Sequence, residues 1–119
     1  MQRKIVVVDD DYGIQDVAKI IFEKAGFDTI ILATPTSLYE HQHKDASIIL
    51  LDRQLAGFDG LEVCKYLKRQ SDFKKTPVLL MSATNASPEK FSDSMADGFI
   101  EKPFNKKELL ARIERLIES

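Results

Sequence analysis

The chain of 119 residues has a single cysteine, Cys64, and therefore no internal disulfide. That fits a reducing, cytoplasmic setting and removes disulfide-stapled secreted folds from consideration. A basic excess is missing as well. Lys and Arg number 17 against 19 Asp and Glu, for a formal net charge of −2. A phosphate backbone is bound by a basic face, so nucleic acid is not expected as the direct ligand. No apolar run approaches the roughly 20 residues that span a bilayer, so no membrane segment is expected. The start Met1-Gln2-Arg3-Lys4 is basic, but the apolar run over residues 5–8 is too short for a signal peptide. Repeats, low-complexity tracts and linkers are absent from the sequence.

What is present is 44% hydrophobic and 30% charged, the balance of a soluble globular chain. The length suits one domain over residues 1–119. Such a domain buries about two-thirds of its unfolded surface, enough for a real core. The last helical pattern ends at Glu118-Ser119. The expectation is a stand-alone module or the front of a longer protein.

The apolar pattern alternates strand and helix. Strands are predicted over residues 4–8, 29–32, 47–51, 78–81 and 98–100. The first helix carries Ile14, Val17, Ala18, Ile21, Phe22 and Ala25 at helical spacing, with Asp11 as cap and Gly26 as its left-handed end. A short helix is predicted over residues 36–41 and a loop over 54–58. Asp59 then caps a helix with Leu61, Cys64, Leu67 and Lys68 on successive turns. Ser87-Pro88-Glu89 opens a helix over residues 88–96, and Asn105 caps a last one with Leu109, Leu110, Ile113, Leu116 and Ile117 inside. Strands each followed by a helix give right-handed crossovers and a parallel sheet covered on both faces. Cys64 and Met81 read as core residues. His41 and His43 lie in a polar stretch with no third ligand of matching type nearby.

The strand exits carry the chemistry. Residues 5–8 run into Asp9-Asp10-Asp11, residues 48–51 into Asp52, and residues 98–100 into Glu101-Lys102-Pro103-Phe104. In a parallel α/β sheet all exits share one edge, where ligands bind. Acids and one Lys gathered there make a divalent-cation site beside a phosphoryl-binding base. Asp11 and Asp59 are better explained as helix caps.

Five motifs in register carry a resemblance over nearly the whole chain. They are Asp9-Asp10, Asp52, the loop from Asp52 through Gly57 to Asp59-Gly60, Ser82-Ala83 and Lys102-Pro103-Phe104. With them the chain resembles a receiver domain of two-component response regulators, the CheY-like family. The resemblance implies a flavodoxin-like, doubly wound sheet of strand order 2-1-3-4-5 flanked by five helices. It implies that Asp52 is the phosphoacceptor, with Lys102 and Ser82 as its catalytic partners. It implies Mg²⁺, or Mn²⁺ in its place, held by Asp10, Asp52 and the Gln54 backbone carbonyl, with Asp9 acting through water. The three carboxylates sum to −3, which Mg²⁺ and Lys102 balance. Lys102 should pair with Asp52 at rest, and a cis bond at Pro103 should aim it inward. Ala83 leaves room for the phosphoryl group. The switch is Ser82 moving toward the phosphate and Phe99 filling the space. It alters the surface formed by the helix over residues 88–96, the last strand and the last helix. The implied partners are a sensor histidine kinase or histidine phosphotransfer domain, docking near the first helix and the loop after the last strand, and an output partner or effector domain. A phosphorylation-dependent dimer is among the allowed states.

The chain departs from the family pattern in places. Ala56 stands where Pro is usual, which with Gly57 predicts a looser loop before metal binds. Ser82 replaces the commoner Thr. Phe99 stands where Tyr is frequent. A buried phenol without a partner would cost about 1–3 kcal/mol; Phe has no such demand, so Phe99 is expected to face inward even without phosphate. The helix over residues 88–96 has few large apolar residues, and a short or irregular one is expected. Arg53, Gln54, Thr84 and Asn85 flank the phosphoryl position and should tune its lifetime. Two other readings remain. One is a haloacid-dehalogenase-like phosphatase with Asp9 as nucleophile. The other is a receiver-like interaction module that is never phosphorylated.

Overall fold

Aliphatic strands, many of their residues β-branched, sit where a parallel sheet needs them, in the centre with both faces covered. In the computed structural model, residues 3–83 and 93–118 are described. The order of elements is β1 (Lys4–Val8), α1 (Tyr12–Lys24), β2 (Asp28–Leu32), α2 (Thr36–Tyr39), β3 (Ile48–Asp52), β4 (Gln54–Leu55), β5 (Phe58–Asp59), α3 (Gly60–Arg69), β6 (Val78–Ser82), β7 (Gly98–Glu101) and α4 (Lys106–Glu118). The main sheet runs β2-β1-β3-β6-β7, all parallel, which is the doubly wound order expected. The expected helix over residues 88–96, including its Ser87-Pro88 start, and the positions of Thr84 and Asn85 fall largely or wholly outside the described residues.

The period of two along each strand divides the core into two layers. Val6, Val8, Ile49, Leu51 and Leu80 face Val63, Cys64 and Leu67 of α3, with Phe73 beneath. Ile5, Val7, Ile48, Leu50, Leu79 and Met81 face Ala18, Ile21 and Phe22 of α1 and Leu109 and Ile113 of α4. The three longer helices are anchored where their caps were predicted. Ile14 N donates to Asp11 Oδ1 at 3.1 Å, Leu61 N to Asp59 Oδ1 at 2.9 Å, and Glu108 N to Asn105 Oδ1 at 2.7 Å. Gly26 turns the chain out of α1 at φ +92°. Rigidly packed strands therefore deliver their ends to one edge in fixed register: Val8 beside Leu51, Asp52 beside Met81, Ser82 beside Glu101.

Three expectations need correction. Asp52 and Ser82 are the final residues of their strands and share in the ladder, rather than lying just past it. The loop after β3 contains an antiparallel hairpin of two-residue strands, Gln54 opposite Asp59 and Leu55 opposite Phe58, turned by Gly57 at φ +79°. So few residues have no readable period, which is why the pattern showed only a loop. Val17 and Ala25, placed on the inner stripe of α1 by spacing, are exposed. Helical spacing marks a broad stripe, and its margin is left uncovered here. His41 and His43 hold turns after α2 at φ 60° and 63°. The His41 ring lies 2.8 Å from Asp72 Oδ2 and 3.1 Å from Tyr66 Oη.

Candidate functional site

The carboxyl edge gathers Asp9, Asp10, Asp52 and Lys102. Asp9 follows β1 and is wholly buried; its Oδ1 accepts from Asp11 N at 2.9 Å, and its Oδ2 accepts from Lys102 Nζ at 2.9 Å. Gln15 Nε2 donates to the Asp9 carbonyl at 2.6 Å, tying α1 to the same turn. Asp10 is exposed, and its Oδ2 accepts from Ala56 N at 2.9 Å. Asp52 ends β3; its Oδ1 accepts from Gln54 N at 3.2 Å, and its Oδ2 lies 3.1 Å from Lys102 Nζ. Each of the three acids offers a carboxylate oxygen within 4.8 Å of the others. Lys102 thus bridges Asp9 and Asp52, where the sequence reading paired it with Asp52 alone. Its own N–H donates to the Ser82 carbonyl at 2.7 Å, and the Lys102–Pro103 bond is cis as expected.

Electrostatics follow from this crowding. Asp52 titrates above the ordinary carboxylate value, first because burial disfavours its charge and then because Asp9 is close; the Gln54 N–H and Lys102 oppose the shift. Lys102 is also raised. Burial works against its ammonium, but hydrogen bonds and charge from Asp9 and Asp52 outweigh that. The edge holds more negative charge than one ammonium neutralises, and a further cation is what the group lacks.

The residues present fit such a cation. Clustered carboxylate oxygens are the donor set a hard divalent ion such as Mg²⁺ takes. The Ser82 hydroxyl, 1% exposed at the end of the neighbouring β6, has no hydrogen-bond partner among the described residues. Buried polar atoms are normally satisfied, and an orphan calls for an explanation. A hydroxyl kept free for an incoming acceptor provides one. Ala83 follows it and is exposed.

Phe99 does not face inward as expected: it is 42% exposed. β7 is the edge strand and alternates, with Ile100 buried among residues of the α1–α4 layer and Phe99 on the opposite face. The absence of a hydroxyl removes a penalty for burial but does not supply neighbours to bury the ring.

Two residues of the site were missed as such. A Cβ at Gly60 would meet the Asp52 carbonyl oxygen and lie 2.6 Å from Arg53 Cα. α3 therefore starts directly on the backbone of Asp52, and Gly60 N donates to Arg53 O at 2.7 Å. A glycine opening a helix costs propensity, which was a readable hint. The other is the Ala56 N–H on Asp10, which no side-chain pattern can reveal.

The model of the response regulator receiver domain matches residues 5–114. The chain is 31% identical over 116 residues to the sensory transduction protein RegX3 of Mycolicibacterium smegmatis, covering 95% of this chain and 50% of that protein. It is 33% identical, with the same coverage, to the DNA-binding response regulator MtrA of Mycobacterium leprae. The chain thus spans about half the length of these curated relatives. In structure it is similar to chemotaxis protein CheY4 of Vibrio cholerae, with TM-score 0.88, 29% identity and coverage of 98% of this chain and 99% of that one. No helix among the described residues is long and apolar enough to cross a membrane. Its match over most of its length, its sheet order and its acid cluster make this chain a member of the response regulator receiver domain family, the phosphoacceptor switch modules of two-component signalling.

Proposed function

We propose that Asp52 is the phosphoacceptor and that Asp9, Asp10, Lys102 and Ser82 form its working set. The observation that carries this is the single ammonium of Lys102 bridging two buried carboxylates, of which Asp52 is the more accessible: its side chain is 10% exposed, that of Asp9 0%. An Asp52 oxygen attacks the phosphorus of a phosphohistidine, the P–N bond breaks, and the imidazole leaves with the electron pair and takes up a proton. Lys102 turns from the carboxylates to the phosphoryl oxygens, and the free Ser82 hydroxyl donates to one of them. A divalent cation, Mg²⁺ or Mn²⁺, held by Asp10, Asp52 and the Gln54 carbonyl and by Asp9 through water, would supply charge neutralisation. The acyl phosphate then hydrolyses slowly at the same site.

A histidine kinase or phosphotransfer domain is the fitting donor. The apolar side chains that α1 exposes just past the acid cluster, Tyr12, Val17 and Ile20, support docking there. The switch surface comprises Phe99 and α4, where Arg112 Nη1 donates to the Phe99 carbonyl at 2.6 Å. Output through an effector or a phosphorylation-dependent dimer, and a cytoplasmic setting, belong to the same proposal.

Acetyl phosphate with Mg²⁺ tests it. One phosphoryl group should appear on Asp52, and Asp52→Asn should abolish it. Label on Asp9 would instead favour the phosphatase reading. A beryllofluoride complex that leaves the surroundings of Ser82 and Phe99 unperturbed would favour the unphosphorylated interaction module.

A further inference from the structure

Of the three acids, only Asp10 is exposed, so packing does not fix its rotamer. Repulsion from Asp9 and Asp52 would drive it outward into water. Among the described residues, what holds it is a single backbone donor, Ala56 N, 2.9 Å from its Oδ2. That donor is itself placed by a hairpin: Leu55 pairs with Phe58, Gln54 with Asp59, and Gly57 at φ +79° closes the turn. The hairpin's other end is fixed by Gly60 against the Asp52 backbone. With Oδ2 engaged, the remaining oxygen of Asp10 is free to face the cluster. The proline that family members usually carry at this position has no N–H and could not make this contact.

We propose that the Ala56 N–H is a positioning group for the cation site, holding Asp10 ready to bind a divalent ion. The inference rests on the cation-binding reading above. On this proposal the hydrogen bond, present without the ion, is kept when the ion binds, so removing it lets the metal-free chain relax by swinging Asp10 away while the metal-bound chain loses the whole contact. Affinity then falls. Had the bond to be broken for the ion to enter, affinity would rise.

The test measures Mg²⁺ binding to the intact chain by calorimetry, with urea stability in EDTA measured alongside. Ala56→Pro should weaken Mg²⁺ binding about five- to tenfold, with a far smaller change in unfolding midpoint. Ala56→Ser, which keeps the N–H, should restore wild-type affinity. In an Asp10→Ala background Ala56→Pro should have no further effect on affinity. Without metal, Asp10→Ala should shift the Ala56 amide proton resonance, a readout independent of any ion. Unchanged or tighter binding by the Ala56→Pro chain, or equal weakening by Ala56→Ser, overturns the inference while leaving the cation site standing. A wild-type chain that takes up no Mg²⁺ overturns both.

Discussion

The two edges of the sheet treat charge in opposite ways. At the amino edge three acids have each found a cation: Lys4 Nζ reaches Asp45 at 2.7 Å, Arg3 reaches both oxygens of Glu114 at 2.9 Å, and Lys68 reaches Asp97 at 2.9 Å. Hydrogen bonds from these partners hold Asp45 and Glu114 below the ordinary carboxylate value and raise Lys4 and Arg3. At the carboxyl edge Asp9, Asp10 and Asp52 converge on one Lys, and Asp52 is raised. The same chain satisfies acids at one rim and crowds them at the other. Such unresolved charge is a local conflict in an otherwise consistent fold, and that is where an external cation has most to gain.

The contrast can be broken by substitution, and the largest effect should come from Gly60. In Gly60→Ala the new methyl group meets the backbone of Asp52 and Arg53, which cannot move as a flexible side chain would. A loss of about 3 kcal/mol is expected by urea denaturation. Next is Asp97→Ala at the amino edge. Asp97 Oδ2 accepts from both Lys68 Nζ and Val78 N at 2.9 and 2.8 Å, and both donors lose that acceptor. The expected cost is about 2 kcal/mol.

Asp52→Asn should do the reverse of Asp97→Ala. Removing one of the crowded charges should stabilise the chain by about 1 kcal/mol near neutral pH, at the expense of function. The sign follows from titration. A carboxyl raised on folding favours the protonated native state, so its contribution is full below the unfolded value of about 3.9. It is lost as pH rises through the higher folded pKa of Asp52. Wild type should lose stability across that window relative to Asp52→Asn, and Mg²⁺ should recover part of the loss. Equal pH profiles for the two chains would remove the electrostatic half of the comparison.

The pair Asp9-Asp10, Asp52, Ser82 and Lys102 were legible because each lies at or just beyond the end of an apolar run, and runs mark strands. Their sharing one edge was legible because alternating strand and helix force a parallel sheet. Asp11, Asp59 and Asn105 were legible as caps because a short polar side chain before a periodic stretch has one dominant local use. What escaped depends on distances between segments remote in sequence. The Ala56 N–H meets Asp10 across 46 positions, and backbone donors have no signature. Lys102 leans on Asp9 as much as on Asp52, because both lie in adjacent strand exits and alternation cannot rank them. Phe99 was misjudged because its chemistry was considered without its place on an edge strand.

The smallest effect, Glu114→Gln, sharpens the comparison from the amino edge. Arg3 holds Glu114 in a bidentate pair while its guanidinium lies 4.4 Å from the centroid of the Phe27 ring. Both partners are well exposed, so water and salt screen the pair, and its loss should cost under about 1 kcal/mol. Glu114 is lowered, so its sign is opposite to that of Asp52: its stabilisation is present above the unfolded value near 4.3 and is lost as pH falls through the lower folded one. The gap between wild type and Glu114→Gln should therefore close on acidification and shrink in about 1 M salt, where the screening length is near 3 Å. Because Asp52→Asn should gain stability relative to wild type with rising pH while Glu114→Gln loses it, measuring both across one titration separates the two edges directly. Parallel curves would mean that the crowded acids and the paired ones feel the same field.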